Sequence, residues 1–463
     1  MTEQRPTLVV VGAGISGLAA AWYSAEAGYS VVVLEGSPVV GGKLRLGEIA
    51  GIPVDVGAEA VLTARPEGVD LIEAAGLGGE RIAPLTTAAR VRAGGASHVL
   101  PAKTMMGVPS DLDAVRESGA LSPAGLATLA QEPALEPLAP LTHDVSVGRL
   151  VRTRLGDEVA DRLVEPLLGG VYAGRADDLS LRATMPRLAQ RLEAGGSLLE
   201  AARAVTDAGT RAPTTDSIFT SLRGGVGRLP GTLAGAGRFA VRTGVTVRAI
   251  RRTAAGFALD CGAVPASEVV EADAVVVAVP AAKAARLLRD IAPSAAGELA
   301  EIDSASMAIV SFAFAGVEAP PGSGLLVGAG ERLAVKAVTL SSQKWPLPTD
   351  LTLLRASVGR IGEPVALQLD DGELTDLVRH ELRVLLGIDA TPVDSLVTRW
   401  GGGLPQYAVG HVERIARVRT AVAAVPGLAV CGAAFDGVGI PACIAAAKDA
   451  VSRVVTAGTT RGQ

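Results

Sequence analysis

Hydrophobic and polar positions change from a strand-like to a helix-like period within the first forty residues of the chain. Thr7–Val11 is a short run rich in β-branched residues, which predicts a buried parallel strand. Apolar residues then recur at helical spacing over Ile15–Trp22, and Gly28 predicts the end of that helix. Ser30–Leu34 predicts a second strand. This order is typical of a nucleotide-binding α/β unit.

Three glycines occupy the turn between the first strand and the helix. Gly12, Gly14 and Gly17 have the spacing G-x-G-x-x-G, which permits a tight turn, close approach of a pyrophosphate and close packing of helix on sheet. The N-terminus of the helix offers free N–H groups and a partial positive charge to phosphates. Glu35 follows the second strand, about 20 residues beyond the turn, where it can accept hydrogen bonds from ribose hydroxyls. These features predict a dinucleotide site.

A second motif of this kind lies near the other end of the chain. Leu428–Cys431 predicts a strand, Gly432–Gly439 a loop, and Pro441 lies near the first turn of a closing helix, where proline is tolerated. A helix that begins there would direct its positive end at an electron-rich ligand. We therefore expect two distant parts of the chain to build one cofactor domain.

The pattern between these motifs changes twice. Thr86–Pro101 predicts two strands around a glycine turn, and a helical block follows in which Ser146, Asp157 and Ser180 are the expected N-caps. A polar stretch at 206–217 is expected to be a linker. Strand-like segments then return, with a buried run at Ala274–Val279 that ends before Pro280, and an antiparallel sheet over about 300–391.

Composition excludes several classes of function. Hydrophobic residues make up 49% of the chain, but the longest apolar candidate, Ser304–Val317, is too short to span a bilayer. No signal peptide is expected, because the first strand begins almost at the N-terminus. The net charge of −5 argues against general nucleic-acid binding. The cysteines and histidines lack the spacing of metal ligands, so we expect no metal site. Because no secretory signal is expected, we also expect the thiols to be reduced, as in a cytoplasmic protein.

Four stretches carry a resemblance to a known family: GAGISGLAAAW…LEGSPVVGGK, EPLLGGVYAGRADDLSL, RWGGGLPQY and GAAFDGVGIPACI. In this order they resemble the protoporphyrinogen and coproporphyrinogen oxidases of haem synthesis, within the monoamine-oxidase-like flavoproteins. The first and last stretches mark the broad group, and Glu165–Ser180 and Arg399–Tyr407 are the narrower signals. The Ala-, Gly- and Arg-rich composition resembles the actinobacterial branch, for which coproporphyrinogen is the expected substrate.

The resemblance implies an α/β architecture with three parts. These are a Rossmann-like FAD-binding domain (1–62, 218–285 and 392–463), an inserted antiparallel-sheet substrate-binding domain (63–105 and 286–391) and a helical domain (106–217). It also implies a non-covalently bound FAD. The positions that match the family's cofactor site are Gly12, Ala13, Gly14, Ile15, Ser16, Gly17, Glu35, Gly36, Gly42, Lys43, Gly57, Ala58, Glu59, Ala60, Val247, Trp400, Gly437, Val438, Gly439 and Ile440.

The activity implied is the oxidation of coproporphyrinogen III to coproporphyrin III by three hydride transfers, with oxygen reduced to hydrogen peroxide. Pyrrole nitrogens of the substrate activate it, so no catalytic acid or base is assigned. Tyr172 and Arg175 are the expected pocket residues, and Arg65, Arg90 and Arg92 the expected carboxylate anchors. Relatives that carry an anchoring arginine have it where this chain has Ala89, and some differ from it at Ala58-Glu59.

Other activities stay open at this point. Protoporphyrinogen IX is the alternative substrate, and an amine oxidase or carotenoid desaturase is the alternative enzyme. Amine oxidases usually frame the flavin with paired aromatic rings, whereas Tyr407 has no evident partner in the sequence. A flavin-free binding protein of the same fold, as in prenyl-protein escort factors, conflicts with the intact glycines. Peripheral membrane contact and hand-over of the product to a ferrochelatase also stay open.

Overall fold

A five-stranded parallel sheet forms the centre of the first body of the fold. The computed structural model describes residues 5–210 and 217–459. The strand order is Ala240–Arg242, Ser30–Leu34, Thr7–Val11, Ala274–Val277 and Leu428–Val430. All four pairings are parallel, with Val9 beside both Val32 and Val275. The predicted Rossmann-like sheet is confirmed. The strand that begins at Ala274 ends at Val277, two residues earlier than predicted, and the strand that begins at Leu428 ends at Val430, one residue earlier than predicted.

Both faces of this sheet are covered. Leu8 and Val10 are buried on one face, whereas Val9 and Val11 belong to a second core on the other, as the two-residue period of a strand requires. The helices that complete the first core are Ile15–Glu26, Pro66–Ala74, Arg228–Gly235 and Ile440–Thr459. The second core contains the helices Ala281–Leu288, Pro293–Ala300 and His411–Ala423, together with the antiparallel strands Val247–Arg252, Phe257–Cys261 and Glu268–Ala272.

A seven-stranded sheet forms the second body of the fold. Its strand order is Asp394–Pro405, Ser304–Phe314, Thr352–Val358, Val335–Thr339, Gly324–Val327, Ala89–Ala93 and Ala96–Val99. The pairings are antiparallel except that Gly324–Val327 runs parallel to Ala89–Ala93. The helix Asp371–Leu386 packs on one face through Leu374, Val378 and Leu382. The predicted antiparallel sheet and its N-terminal hairpin are confirmed, apart from that one parallel pair.

The helical block lies against the other face of this sheet. Its helices are Leu112–Ser118, Pro123–Ala130, Val147–Leu155, Asp157–Val159, Glu165–Tyr172, Leu181–Thr184, Pro186–Leu192 and Leu198–Thr210, with a π-helical turn at Ala160–Val164. Ser146 and Ser180 cap helices as predicted, each accepting a hydrogen bond from a backbone N–H of the first turn. Asp157 is not a cap, because Gly156 takes that position with a φ of 93°.

Short elements connect these bodies. The small strands are Leu46–Ile49, Ile52–Asp55, Val61–Leu62, Arg81–Ile82, Thr104–Met105, Val108–Pro109 and Phe219–Leu222, and a short helix spans Ser341–Lys344. The predicted linker begins inside the helix Leu198–Thr210, and its residues 211–216 lie outside the described residues. None of the helices within the described ranges is both long and apolar enough to cross a bilayer. The domain boundaries stay a prediction.

Candidate active site

The glycine turn after the first strand contains one position that faces open space. Gly12 has a φ of 103°, and a Cβ there would lie 2.7 Å from the Ala278 carbonyl oxygen. A Cβ on Gly17 would lie 1.8 Å from the Gly12 carbonyl oxygen, so both positions exclude side chains by packing alone. A Cβ on Gly14 would meet no atom within 4 Å. Since Gly14 directly precedes the helix Ile15–Glu26, this open space lies where the helix N-terminus attracts an anion.

The Gly41-Gly42-Lys43 stretch closes against this turn. The Gly41 N–H donates to the Ala13 carbonyl at 2.8 Å, and a Cβ on Gly42 would lie 3.2 Å from the Gly14 Cα. Lys43 donates from Nζ to the Gly403 carbonyl at 2.6 Å, and burial lowers the pKa of its ammonium group. The basic residue expected at the cofactor site is therefore tied to the long strand Asp394–Pro405.

Glu35 faces the same turn. Its Oε2 accepts from the Ala13 N–H and its Oε1 from the Ser37 N–H, each at 2.7 Å. A carboxylate oxygen has a further lone pair, so each can also accept from a hydroxyl group. The Glu35 carbonyl accepts from the Val245 N–H at 2.8 Å, which brings the strand that begins at Val247 beside this carboxylate.

The Gly57–Ala60 segment passes between Lys43 and Trp400. The Ala58 N–H donates to the Lys43 carbonyl at 3.1 Å, and a Cβ on Gly57 would lie 1.9 Å from that carbonyl oxygen. The same Cβ would be 3.3 Å from Cζ2 of Trp400, whose Nε1 donates to the Val56 carbonyl at 3.0 Å. Trp400 and the glycine segment are thus neighbours, as the resemblance implies.

Glu59 binds two cations that the sequence did not suggest. Its Oε1 accepts from Lys344 Nζ at 2.6 Å, and its Oε2 accepts from Arg355 at 3.2 Å. Arg355 also donates to the carbonyls of Asp55, at 2.9 Å, and Gly57, at 2.6 Å. Burial would raise the pKa of Glu59, but the two cations hold this pKa below its ordinary value. Both cations lie nearly 300 residues from Glu59 in the sequence, so local sequence patterns do not predict these contacts.

Tyr407 joins Tyr172 to the C-terminal loop. Its hydroxyl donates to the Ala433 carbonyl at 2.6 Å and accepts from the Gly437 N–H at 2.9 Å. Its ring lies 5.5 Å from the Tyr172 ring and stacks on His411 at 4.0 Å. The expectation that Tyr407 has no aromatic partner is therefore wrong. Burial raises the pKa of Tyr172 to about 12, so this hydroxyl is neutral at physiological pH.

The closing helix begins at Ile440, with Pro441 in its first turn as predicted. Ile440 and Ile15 belong to one core, and the two helices that begin at these residues pack against each other. Val438 packs against the core that contains Tyr172 and Tyr407. The structure thus brings the N-terminal turn, the Gly57–Ala60 segment and the C-terminal loop into one region.

The arginines expected to bind substrate are scattered. Arg65 is exposed, forms no ion pair within the described residues, and places a guanidinium nitrogen 3.8 Å from where a Cβ on Gly437 would lie. Arg175 instead pairs with Glu363, and Arg92 pairs with Glu331 at 3.0 Å.

Arg90 and Arg92 also face away from this region. Their register partners Leu325 and Val327 belong to the core beneath the helix Asp371–Leu386. Val91, between them, packs in the core of Tyr172. Of the five expected substrate residues, only Arg65 and Tyr172 therefore lie at the C-terminal loop.

The sequence matches the family described as flavin containing amine oxidoreductase over residues 15–455. The chain belongs to this family. It is 38% identical over 450 residues to coproporphyrinogen III oxidase of Mycobacterium leprae, covering 96% of both chains. It is 31% identical to coproporphyrinogen III oxidase of Bacillus subtilis, covering 98% of this chain and 99% of the other. The flavin oxidoreductase class and the resemblance to porphyrinogen oxidases are confirmed.

Two solved structures have folds similar to this chain. The fold is similar to a structure from Exiguobacterium sp. 255-15 named "Putative protoporphyrinogen oxidase", with a TM-score of 0.86, 32% identity and coverage of 98% and 99% of the two chains. Cyclohexylamine oxidase from Brevibacterium oxydans has a TM-score of 0.69 at 17% identity, covering 98% of this chain and 99% of that one. This second likeness shows the fold alone.

Proposed function

We propose that this chain binds FAD non-covalently and oxidises coproporphyrinogen III to coproporphyrin III with molecular oxygen. One substrate and three oxygen molecules give one porphyrin and three hydrogen peroxide molecules, so six electrons and six protons are transferred. Similarity over nearly the whole chain to the coproporphyrinogen III oxidases of Mycobacterium leprae and Bacillus subtilis carries the proposal.

The chain's residues fit FAD in one continuous arrangement. The open space at Gly14 suits a pyrophosphate, and the Glu35 carboxylate suits the ribose hydroxyls. We assign the adenine to the backbone at Val247 and the ring system to the Gly57–Ala60 segment and Trp400. The remaining matched positions, including the Gly437–Ile440 loop, complete the proposed site. When bound, FAD accepts electron pairs from the substrate and passes them to oxygen.

Buried thiols support non-covalent binding. Cys261, Cys431 and Cys443 are buried and free of disulfides. Burial raises the pKa of Cys431 and of Cys443, which are the two that lie near the C-terminal loop. A thiol is a poor nucleophile while it is protonated, so neither is suited to attach a flavin.

The protein's own contribution is binding, orientation and exclusion of water. Tyr172 and Tyr407 are 6% and 1% exposed, so they form a dry wall beside the C-terminal loop. Arg65 is our candidate for a substrate carboxylate, because Arg92 and Arg175 already pair with carboxylates. No side chain is assigned as a catalytic acid or base.

The proposal also includes oxygen as the electron acceptor, a cytoplasmic location and the domain boundaries given above. Hand-over of the product to a ferrochelatase and peripheral membrane contact are compatible with it.

Anaerobic addition of coproporphyrinogen III tests the proposal. We expect the flavin absorbance to bleach, and oxygen then to be consumed three to one against porphyrin formed. A clear preference for protoporphyrinogen IX would overturn the substrate, and a purified protein that takes up no FAD would overturn the whole proposal. Peroxide formation with simple amines alone would indicate an amine oxidase, although His411 already covers one face of the Tyr407 ring.

A further inference from the structure

An ion cluster joins the Gly57–Ala60 segment to the seven-stranded sheet. It consists of Glu59, Lys344 and Arg355, whose side chains are between 12% and 17% exposed. Lys344 ends the short helix Ser341–Lys344, and Arg355 lies on the strand Thr352–Val358. Both cations reach across to the same carboxylate, so the segment is held from the sheet side as well as by Lys43 and Trp400.

The contacts of Arg355 are too extensive for an incidental surface pair. Its guanidinium donates to two backbone carbonyls and to one carboxylate oxygen. These three acceptors leave the Arg355 guanidinium little freedom to move, so the position of its positive charge is fixed. Lys344 has Glu59 as its acceptor and lies 5.2 Å from the centre of the Trp345 ring. The cluster therefore keeps one negative and two positive charges at fixed positions.

We infer that this cluster sets the reduction potential of the flavin, and that Glu59 and Lys344 act on it in opposite directions. The inference rests on the proposed FAD site, in which the ring system lies at Gly57–Ala60. Reduction adds negative charge to a flavin, so a nearby cation favours reduction and a nearby anion disfavours it. Side chains that are mostly buried are screened weakly by salt, so single charges have measurable effects.

One further carboxylate near the cluster has to be held constant. Asp55 accepts from the Val226 and Gly227 N–H groups at 3.0 and 2.8 Å, and burial raises its pKa to about 6. Measurements at a single pH of about 7.5 keep Asp55 mostly ionised in every variant.

The test is the midpoint potential of the flavin in Glu59→Gln, Lys344→Met and the double variant. We expect Glu59→Gln to raise the potential and Lys344→Met to lower it. Each should change the equilibrium constant for reduction about tenfold, which is about 30 mV for a two-electron couple. The double variant should return close to the unsubstituted protein, and Lys344→Arg, which keeps the charge, should not move the potential.

A control with the same charges lies on two other helices, away from the Gly57–Ala60 segment in the sequence and more exposed than the cluster. Glu298 also lies between two cations, accepting from Arg417 at 2.5 Å and from Arg414 at 3.3 Å, on the helices Pro293–Ala300 and His411–Ala423. Glu298→Gln and Arg417→Met make the same charge changes there and should leave the potential unchanged.

The outcomes separate this inference from the proposed function. If FAD binds and the two cluster variants shift the potential in the same direction, or not at all, the cluster is purely structural and the inference is wrong. If Glu59→Gln cannot retain FAD, the comparison of Lys344→Met with Lys344→Arg decides. Failure of the unsubstituted protein to bind FAD or oxidise porphyrinogens would instead refute the proposed function.

Discussion

The Tyr407 hydroxyl accepts a hydrogen bond from the Gly437 N–H at 2.9 Å and so ties the long strand's end to the loop before the closing helix. The same hydroxyl donates to the Ala433 carbonyl at 2.6 Å. Burial raises the pKa of Tyr407, which keeps the hydroxyl protonated and able to make both contacts. The position of the loop thus depends on one side chain that lies outside both nucleotide motifs.

Tyr407→Phe should weaken FAD binding without preventing folding. The change removes two hydrogen bonds of partly buried backbone groups, and each such bond typically contributes about 0.5–1.5 kcal/mol. Titration of apoprotein with FAD, followed by flavin fluorescence, measures the loss. Tyr29→Phe is the control, because the Tyr29 hydroxyl makes no hydrogen bond among the described residues. Equal FAD affinity in both variants would show that the loop holds its position without Tyr407.

Gly14→Val should abolish FAD binding. The glycine faces open space and a Cβ there meets no protein atom within 4 Å, but a valine side chain would fill the volume that we assign to the pyrophosphate. Gly231→Val is the matched control, since a Cβ there also meets nothing within 4 Å and the residue lies on the helix Arg228–Gly235. Flavin content after purification is the measurement. If purified Gly14→Val protein carries one flavin per chain, the assignment of the pyrophosphate to the space at Gly14 is wrong.

Glu35→Ala should weaken FAD binding by about 1–3 kcal/mol, the usual range for hydrogen bonds to a charged group. The carboxylate also orders the Ala13 and Ser37 amides, so part of the loss will come from the turn itself. Glu35→Gln should lose less, because one oxygen can still accept. Calorimetric titration with FAD distinguishes the two, and Glu48→Ala, at an exposed hairpin position, should bind normally.

Local pattern was sufficient to predict the parallel sheet, the glycine turn and the closing helix. Each depends on residues close in sequence, as in the glycine spacing that only a tight strand-to-helix turn requires. Asp157 was misassigned as a cap because capping depends on backbone conformation, and the neighbouring Gly156 adopts the positive φ.

The contacts that complete the site join residues that are far apart in the sequence, so local patterns do not predict them. Tyr172 and Tyr407 are in contact although 235 positions separate them in the sequence. Glu59 binds Lys344, on a short helix, and Arg355, on a strand of the seven-stranded sheet. The direction in which Arg90 and Arg92 point followed from strand register, which a one-residue shift would reverse. Contacts between distant segments can be identified only once the whole fold is known.

Lys336 is a buried cation on the strand Val335–Thr339. It is 2% exposed, and its Nζ donates to the Gly169 carbonyl at 3.3 Å. Burial, with a smaller effect of the nearby Arg360 charge, lowers the pKa of Lys336 to about 7. An unfolded lysine titrates near 10.4, so between pH 7 and about 10 the unfolded state binds more protons than the folded state. The free energy of unfolding therefore rises with pH across this window as far as Lys336 is concerned.

Lys336→Met should consequently stabilise the protein at pH 7, by about 1–3 kcal/mol, since an apolar side chain of similar length avoids burying the charge. The advantage should shrink as the pH approaches 10, where the unsubstituted lysine no longer pays for dehydration of its ammonium group. Urea denaturation of both proteins at pH 7 and pH 10 gives the two differences, and Lys283→Met, at an exposed helical position, controls for the substitution itself. A loss of stability at pH 7 would mean that the bond to Gly169, which lies in the helix bearing Tyr172, outweighs the burial of the charge.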